Sequence, residues 1–471
     1  MKNNKVFILL PDGVGLRNFA YTDFYKKAVE KGFELVFWNH TTFNLVDLGF
    51  SEIRIDNAKS HPITDILKKA RVQIDLNLNI KKDSDDIYDS YRFPLAYKDF
   101  KTAVKMLSIK ILVQLYSSGK GVNKIRSAIF NLERKTAYYQ ECLETLKREK
   151  PAMVFCTNQR TVLAIGAILA AQDLGIPTAT FIFSWDNLPK ATLVLEPDFY
   201  FVWSEHMKKE LLHYYPFVNE NQIIVTGTPQ FETHADRRNI HSREVFFEKY
   251  NLDPNKKYIC YSGDDITTSP NDPQYLEDTV NAVKKLNAEG HNLGIIFRRC
   301  PVDFSGRYDK VIAENTNIIM PIDPKWKKMG DMWNTILPTI EDLELQMNTI
   351  MHTEMVINLG SSMVFDYISY QKPCAYLNYN VRSDLNAVPV KKIYDFVHFR
   401  SMPSTESVLW INNPEAISDA IKKGLYDCAD VLQNAQLWFE KINQHPPKDA
   451  SARILDAIET IITDSQNTMK R

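Results

Sequence analysis

No stretch of this sequence approaches the roughly 18 uncharged apolar residues of a membrane-spanning helix. The longest candidate, Val162 to Ala171, suits a buried helix. A secretory signal is also missing: Val6 to Leu10 is apolar for too few residues and runs straight into the turn Pro11-Asp12-Gly13. The six cysteines, Cys142, Cys156, Cys260, Cys300, Cys374 and Cys428, include no C-x-x-C pair. That argues against a zinc site or a disulfide frame and for reduced, buried thiols in a cytoplasmic protein. The net charge of −1 leaves no global excess of either sign to point to nucleic acid. What is present is 471 residues with 44% hydrophobic side chains, enough for two or three domains with separate cores.

The chain opens in the manner of a doubly wound α/β domain. Lys5 to Leu10 reads as a buried strand, Asp12-Gly13-Val14-Gly15 as a turn, and Leu16-Arg17-Asn18-Phe19 as the start of a helix expected to reach Lys31. Phe33 to Trp38 follows as the second strand. Gly13 and Gly15 would let a ligand approach, although the third glycine of a dinucleotide fingerprint is missing. Strand carboxyl ends line the crevice of such sheets, which puts Asp12 there.

From Phe50 to Lys98 the chain is polar and without clear period; Asp83-Ser84-Asp85 inside it has metal-ligand spacing but reads as a solvated loop. Residues 98–135 are helical by period and basic, nine Lys or Arg against Asp99 and Glu133. Interleaved with Met106, Leu107, Ile109, Ile111, Leu112, Leu115 and Tyr116, they suit either a solvated helix pair or a helix lying on an anionic membrane.

Ala152 to Cys156 and Thr178 to Phe183 read as further strands. The first delivers Asn158-Gln159-Arg160 and the second the loop Ser184-Trp185-Asp186-Asn187-Leu188-Pro189. A second α/β unit begins at Tyr258 to Tyr261 and breaks at Ser262-Gly263-Asp264-Asp265. Its next strand, Gly294 to Phe297, ends in Arg298 and Arg299, fixed cations that suit a diphosphate.

Glu354 to Tyr379 is the stretch around which this unit is organised, reading as strand, turn, helix and strand. Gly360 breaks the strand, and Ser361 and Ser362 stand at a helix start whose amides suit a phosphate. Asp366, one turn on, would reach ribose hydroxyls. The bland alternative is that the serines only cap and Asp366 is only solvated. The expected layout is 1–235 and 250–430 as two Rossmann-like domains facing a central cleft. Residues 431–471 are expected as helices packing back across the joint.

Taken together, the G-x-G turn, Val225 to Phe231 (VTGTPQF), Phe297 to Pro301 (FRRCP) and Ile357 to Tyr367 (INLGSSMVFDY) resemble bacterial glycosyltransferases of the GT-B fold. The second half is most similar to the branch holding the CDP-glycerol glycerophosphotransferases of teichoic acid synthesis and transferases of capsule and lipopolysaccharide assembly. That branch commonly has Arg-His-Pro where this chain has Arg299-Cys300-Pro301, a departure that weakens the glycerophosphate reading. Ser184 to Pro189 resembles a Trp-Asp-Asn loop of relatives in this group.

The resemblance implies a nucleotide-sugar donor in the C-terminal half and a hydroxyl acceptor, on a glycan or lipid, in the N-terminal half. Neither metal nor cofactor is expected. Ser262, Gly263, Arg298, Arg299, Gly360, Ser361, Ser362 and Asp366 would hold the donor. Gly13, Gly15, Arg17, Asn18, Trp185 and Asn187 would face the acceptor, with Asp12 or Asp186 as general base. For Asp12 the competing reading is a turn residue bonding its own backbone.

Three other functions remain open on the sequence. A nucleotide-sugar 2-epimerase shares the architecture, and a non-catalytic nucleotide-binding module is compatible with it. The opening PDGVG also resembles a metal-ligand turn of alkaline-phosphatase-like mutases, but those need an Asp-His pair and none occurs here.

Overall fold

The computed structural model describes residues 3–92, 99–330, 335–381 and 389–469. Lys98, which opens the basic block, lies outside them. The chain divides into two α/β units, Met1–Pro229 with Ile442–Arg471, and Gln230–Lys441.

The first unit is built on seven parallel strands: β1 (Lys5–Leu10), β2 (Glu34–Asn39), β3 (Glu52–Arg54), β4 (Met153–Cys156), β5 (Thr178–Phe181), β6 (Phe199–Val202) and β7 (Ile223–Val225). Their spatial order is β3-β2-β1-β4-β5-β6-β7. Helices α1 (Leu16–Phe19), α2 (Phe24–Glu30), α3 (Thr64–Asp83), α4 (Phe100–Leu115), α5 (Gly119–Glu133), α6 (Ala137–Glu149), α7 (Ala164–Asp173) and α8 (Glu205–Tyr214) connect them. Central strands read as unbroken apolar runs because both faces are covered: Val6 to Leu10 are fully buried, as are Met153 to Cys156.

The second unit repeats the plan with β8 (Lys257–Ser262), β9 (Leu293–Arg298), β10 (Ile319–Pro321), a small antiparallel ribbon of β11 (Lys327–Lys328) and β12 (Ile336–Leu337), then β13 (Val356–Asn358), β14 (Cys374–Leu377) and β15 (Leu409–Ile411). The parallel sheet runs β10-β9-β8-β13-β14-β15. Its helices are α9 (Arg243–Lys249), α10 (Asp272–Ala288), α11 (Asp309–Ala313), α12 (Ile340–Met351), α13 (Met363–Ile368), α14 (Ile417–Tyr426) and α15 (Ala429–Ile442). The final helix, α16 (Ala450–Met469), belongs with the first unit, where Lys31 of α2 pairs with Asp456.

Two sequence expectations need correction. The helix expected from Leu16 to Lys31 is two pieces, because the Thr22 hydroxyl donates to the Asn18 carbonyl at 2.6 Å and receives the Phe24 amide at 3.3 Å, re-starting the chain as α2. The stretch from Phe50 to Lys98 is not irregular: it holds α3, 20 residues long. The Asp-x-Asp pair lies at the end of that helix rather than in a solvated loop. Asp83 bonds Tyr88 and His213, and Asp85 caps the following turn by accepting from the Ile87 amide.

The opening turn is packed against its own chain. A methyl group placed on Gly15 would come within 2.4 Å of Thr157 Oγ1 and 2.9 Å of Leu10 Cδ2, both in the buried interior. The close approach that this glycine permits is therefore to the end of β4, not to a ligand. Gly15→Ala is expected to destabilise the fold by about 1–3 kcal/mol through overpacking, read as a lower midpoint in urea with unchanged slope.

Candidate functional site

In each sheet the strand order reverses once, between β1 and β4 and between β8 and β13. At such a reversal the two crossover connections leave in opposite directions and open a crevice at the carboxyl ends of the strands. Of the polar loops singled out in the sequence, those after β1, β4, β8 and β13 lie at these two places.

In the first unit Asp12 follows β1 by two residues and Asn158 follows β4 by two. Asn158 Nδ2 donates to Asp12 Oδ2 at 2.7 Å, the Thr161 hydroxyl donates to the same oxygen at 3.0 Å, and the Val14 amide donates to Oδ1 at 3.1 Å. Asp12 is therefore the turn residue of the bland reading and also a tie between two strand ends. Burial pushes its carboxyl above the usual range, against the pull of Thr161, the Val14 amide, Arg160 and Asn158. Next to it, buried Gln159 accepts the Phe183 amide through Oε1, while its Nε2 has no partner among the described residues. Gly13, Gly15 and Asn18 are buried in the turn and the helix after it, and Arg17 is half-buried.

The loop after β5 is less open than its sequence suggests. Asp186 receives hydrogen bonds from Ser184 and from Asn187 Nδ2 and forms an ion pair with Lys190, so its charge is balanced in place. Asn187 and Trp185 are buried. The expectation that Trp185 faces the acceptor meets a ring only 6% exposed, which leaves little face for a ligand.

In the second unit the loop after β13 turns at Gly360, whose φ of +66° belongs to the left-handed region where a side chain is strained. Asn358 Oδ1 accepts the Ser361 amide at 2.9 Å, and the Ser361 hydroxyl accepts the Met363 amide at 3.3 Å. Two of the amides expected to meet a phosphate are thus already used, and α13 is only six residues long. Ser362 is half-exposed and makes no side-chain cap bond.

Asp366 is not solvated and does not present itself to a ribose. It is buried, and its Oδ1 lies 2.7 Å from His234 Nε2, itself 3% exposed. His234 Nδ1 has no partner among the described residues. Sequence reading missed His234; the only signal was its position three residues after Phe231 of the VTGTPQF segment.

The two arginines after β9 separate. Arg298 is 6% exposed and its Nη2 donates to both oxygens of Asp342 at 2.8 Å. That carboxylate also accepts the Lys325 amide and the Trp326 indole N–H at 2.7 Å each. Arg298 is therefore an internal tie rather than a free diphosphate ligand, with Nη1 buried and without a partner among the described residues. Arg299 reaches the surface, pairing with Asp323 at 2.7 Å and with the Ser305 carbonyl at 3.3 Å. Ser262 ends β8, and the Gly263 amide donates to the Arg298 carbonyl at 2.9 Å, joining the two strand ends.

Asp264, one residue further, is a titratable group not chosen from the sequence. Burial, helped by neighbouring Asp272 and Asp265, pushes its carboxyl up to about 7. Asp272 is held by Tyr308, Ser269 and the Asp264 amide.

No protein-family profile and no curated protein matches the sequence. Solved structures do match in fold. Over 98% of this chain and 97% of its own, the S. aureus MnaA–UDP co-structure superposes with a TM-score of 0.53 at 14% identity. The UDP-GlcNAc 2-epimerase from Methanocaldococcus jannaschii gives 0.51 at 14% identity over 97% and 99%. A glycosyltransferase from Rickettsia africae gives 0.52 at 12% identity over 98% and 99%. At these identities the likeness is one of fold: the chain is a two-unit α/β protein of the GT-B kind, each unit Rossmann-like.

Two predictions follow from the burial pattern. Arg298→Gln leaves Asp342 buried without its cation and should cost about 3–5 kcal/mol in denaturant unfolding, whereas Arg299→Gln should stay within about 0.5 kcal/mol of wild type. Asp264 keeps its proton to about pH 7 when folded, against 3.8 for a free carboxyl. Its contribution to stability is therefore whole at low pH and is lost as pH rises through about 7. Relative to Asp264→Asn, wild type should lose stability across that window and run parallel to it above, as measured by urea unfolding at several pH values.

Proposed function

We propose that the protein is a nucleotide-sugar enzyme, a glycosyltransferase that moves a sugar from a nucleotide-activated donor to a hydroxyl of a cell-surface glycan or lipid-linked acceptor. Supporting this is the loop pair at the β8/β13 reversal: the left-handed Gly360 turn and half-exposed Ser362 follow β13, and Gly263 and the half-buried Asp264 follow its neighbour β8. The donor diphosphate would lie on Ser361 and Ser362, with Arg299 as the accessible cation. Asp366 would act through His234, holding its ring in place, and not on the ribose directly. CDP-glycerol is the less favoured donor, because Cys300 stands where that branch carries His.

On the acceptor side Asp12 is the better base. Its carboxyl is raised by burial and one accepting direction is left beyond its three hydrogen bonds, whereas Asp186 is neutralised by Lys190. The chemistry needs no resident metal or cofactor, since backbone amides and a cation can stabilise the leaving diphosphate.

A 2-epimerase acting on a UDP-sugar is the second reading, favoured by the name of the Methanocaldococcus jannaschii structure and by the UDP named in the S. aureus one. Incubation with UDP-N-acetylglucosamine separates the two. Inversion at C2 without release of UDP selects the epimerase, and release of UDP only with an added acceptor selects the transferase. Under the transferase reading Asp12→Asn should keep UDP affinity by calorimetry and lower kcat by about 10² to 10⁴. A variant with wild-type single-turnover rate would exclude Asp12.

A further inference from the structure

Helix α4 is apolar on two opposite sides, and the described residues of the first unit cover only one. Met106 and Ile109 are buried against Ala70 of α3, with Ile66, Leu112 and Val113 packed around them. On the other side Phe100, Val104, Leu107, Ile111 and Leu115 are 86%, 48%, 59%, 47% and 72% exposed. Their spacing of four, three, four and four residues places them in one stripe along the helix. A helix apolar all round is normally buried all round, so this stripe is a surface that the described residues leave uncovered.

The charge around the stripe identifies the covering. Residues 100–132 contain no Asp or Glu. Lys101 and Lys110 flank the stripe on its two sides and are exposed, as are Lys120 and Lys124 at the start of α5. Lys105 of α4 points inward, where it pairs with Asp65 of α3. A second copy of the chain is disfavoured, because a two-fold contact through this stripe would set the same lysines against one another. The helix has 16 residues, about 24 Å of length, too short to cross a bilayer but suited to lying in its surface.

We propose that α4 docks the protein on an anionic lipid surface, its five-residue stripe below the headgroups and Lys101 and Lys110 among the lipid phosphates. The sequence shows the basic block and its interleaved apolar residues; the fold decides which of those stay exposed and so give the contact a defined face. α5 contributes little to it, since its Val122, Ile125 and Ile129 are turned into the core. The proposal goes beyond the enzymatic reading and does not depend on it.

The full chain is spun with vesicles of phosphatidylglycerol and phosphatidylcholine, and in parallel with vesicles of phosphatidylcholine alone. Wild type should pellet with the anionic vesicles and far less with the neutral ones. Leu107→Ser combined with Ile111→Ser should lower the partition coefficient at least about tenfold, from the apolar area withdrawn. Lys101→Gln combined with Lys110→Gln should lower it by about fivefold per lysine, and only on anionic vesicles. The melting temperature of both variants should match wild type, because all four side chains are exposed. Wild type remaining in the supernatant would overturn the proposal, as would a serine variant that pellets like wild type. So would a dimer in sedimentation velocity that the serine variant dissolves, since a second copy would then be the covering. UDP binding is measured separately, so its failure bears on the enzymatic reading and leaves the vesicle result standing.

Discussion

Parallel strand pairing is the constraint on which the rest of this molecule depends. A parallel neighbour cannot be reached by a tight turn, so each strand is followed by a crossover, and every strand of a sheet delivers its loop at the same edge. Where the order reverses, at β1 and β4 and again at β8 and β13, neighbouring loops part instead of crowding. Asp12 and Asn158 meet at one reversal, two residues beyond their strands, and Gly263 and Gly360 flank the other. Residues nearly 150 positions apart in the chain thus become neighbours through backbone pairing alone.

Those loop ends contain more buried polar groups than a crevice can leave unsatisfied, and the chain satisfies most of them internally. Asp12 with Asn158 and Thr161, Asp342 with Arg298 and the Trp326 indole, and Asp366 with His234 are each closed sets of partners. The buried Arg298–Asp342 ion pair adds little net stability over an apolar replacement, but losing one partner is costly, so such a set fixes loop shape. The groups left over include half-exposed Ser362, and Arg298 Nη1, Gln159 Nε2 and His234 Nδ1 as buried polar atoms lacking a partner among the described residues.

Helices α3 to α6, inserted between β3 and β4, tie the first reversal to a separate surface. From α3, Lys68 donates to the Arg160 carbonyl at 3.4 Å and Arg71 to the Leu193 carbonyl, bracing the loops after β4 and β5. Burial, with Arg71 and Arg160 nearby, lowers the Lys68 ammonium to about 8. The other side of α3 carries α4 and its uncovered stripe. One helix therefore supports both the candidate acceptor loops and the candidate lipid face.

The sequence by itself determined the α/β alternation, because fully buried parallel strands must be apolar runs and turns must be polar or glycine-containing. Lys5–Leu10, Ile223–Val225 and Cys374–Leu377 are legible for that reason, and so is the gathering of polar residues just past them. It did not determine α3, where Val72, Ile74, Leu76, Leu78 and Ile80 alternate like a strand while the 20 residues coil as a helix whose buried positions include Leu67, Ala70 and Ile74. Nor could it say which polar residues face inward. Arg298 and Arg299 are adjacent and chemically identical, yet successive side chains leave a strand end on opposite sides, one toward Asp342 and one toward solvent. His234 and Asp366 are 132 residues apart and meet only once the second unit has closed. Local pattern reports whether a segment can be buried; only tertiary packing decides which partner a buried charge receives.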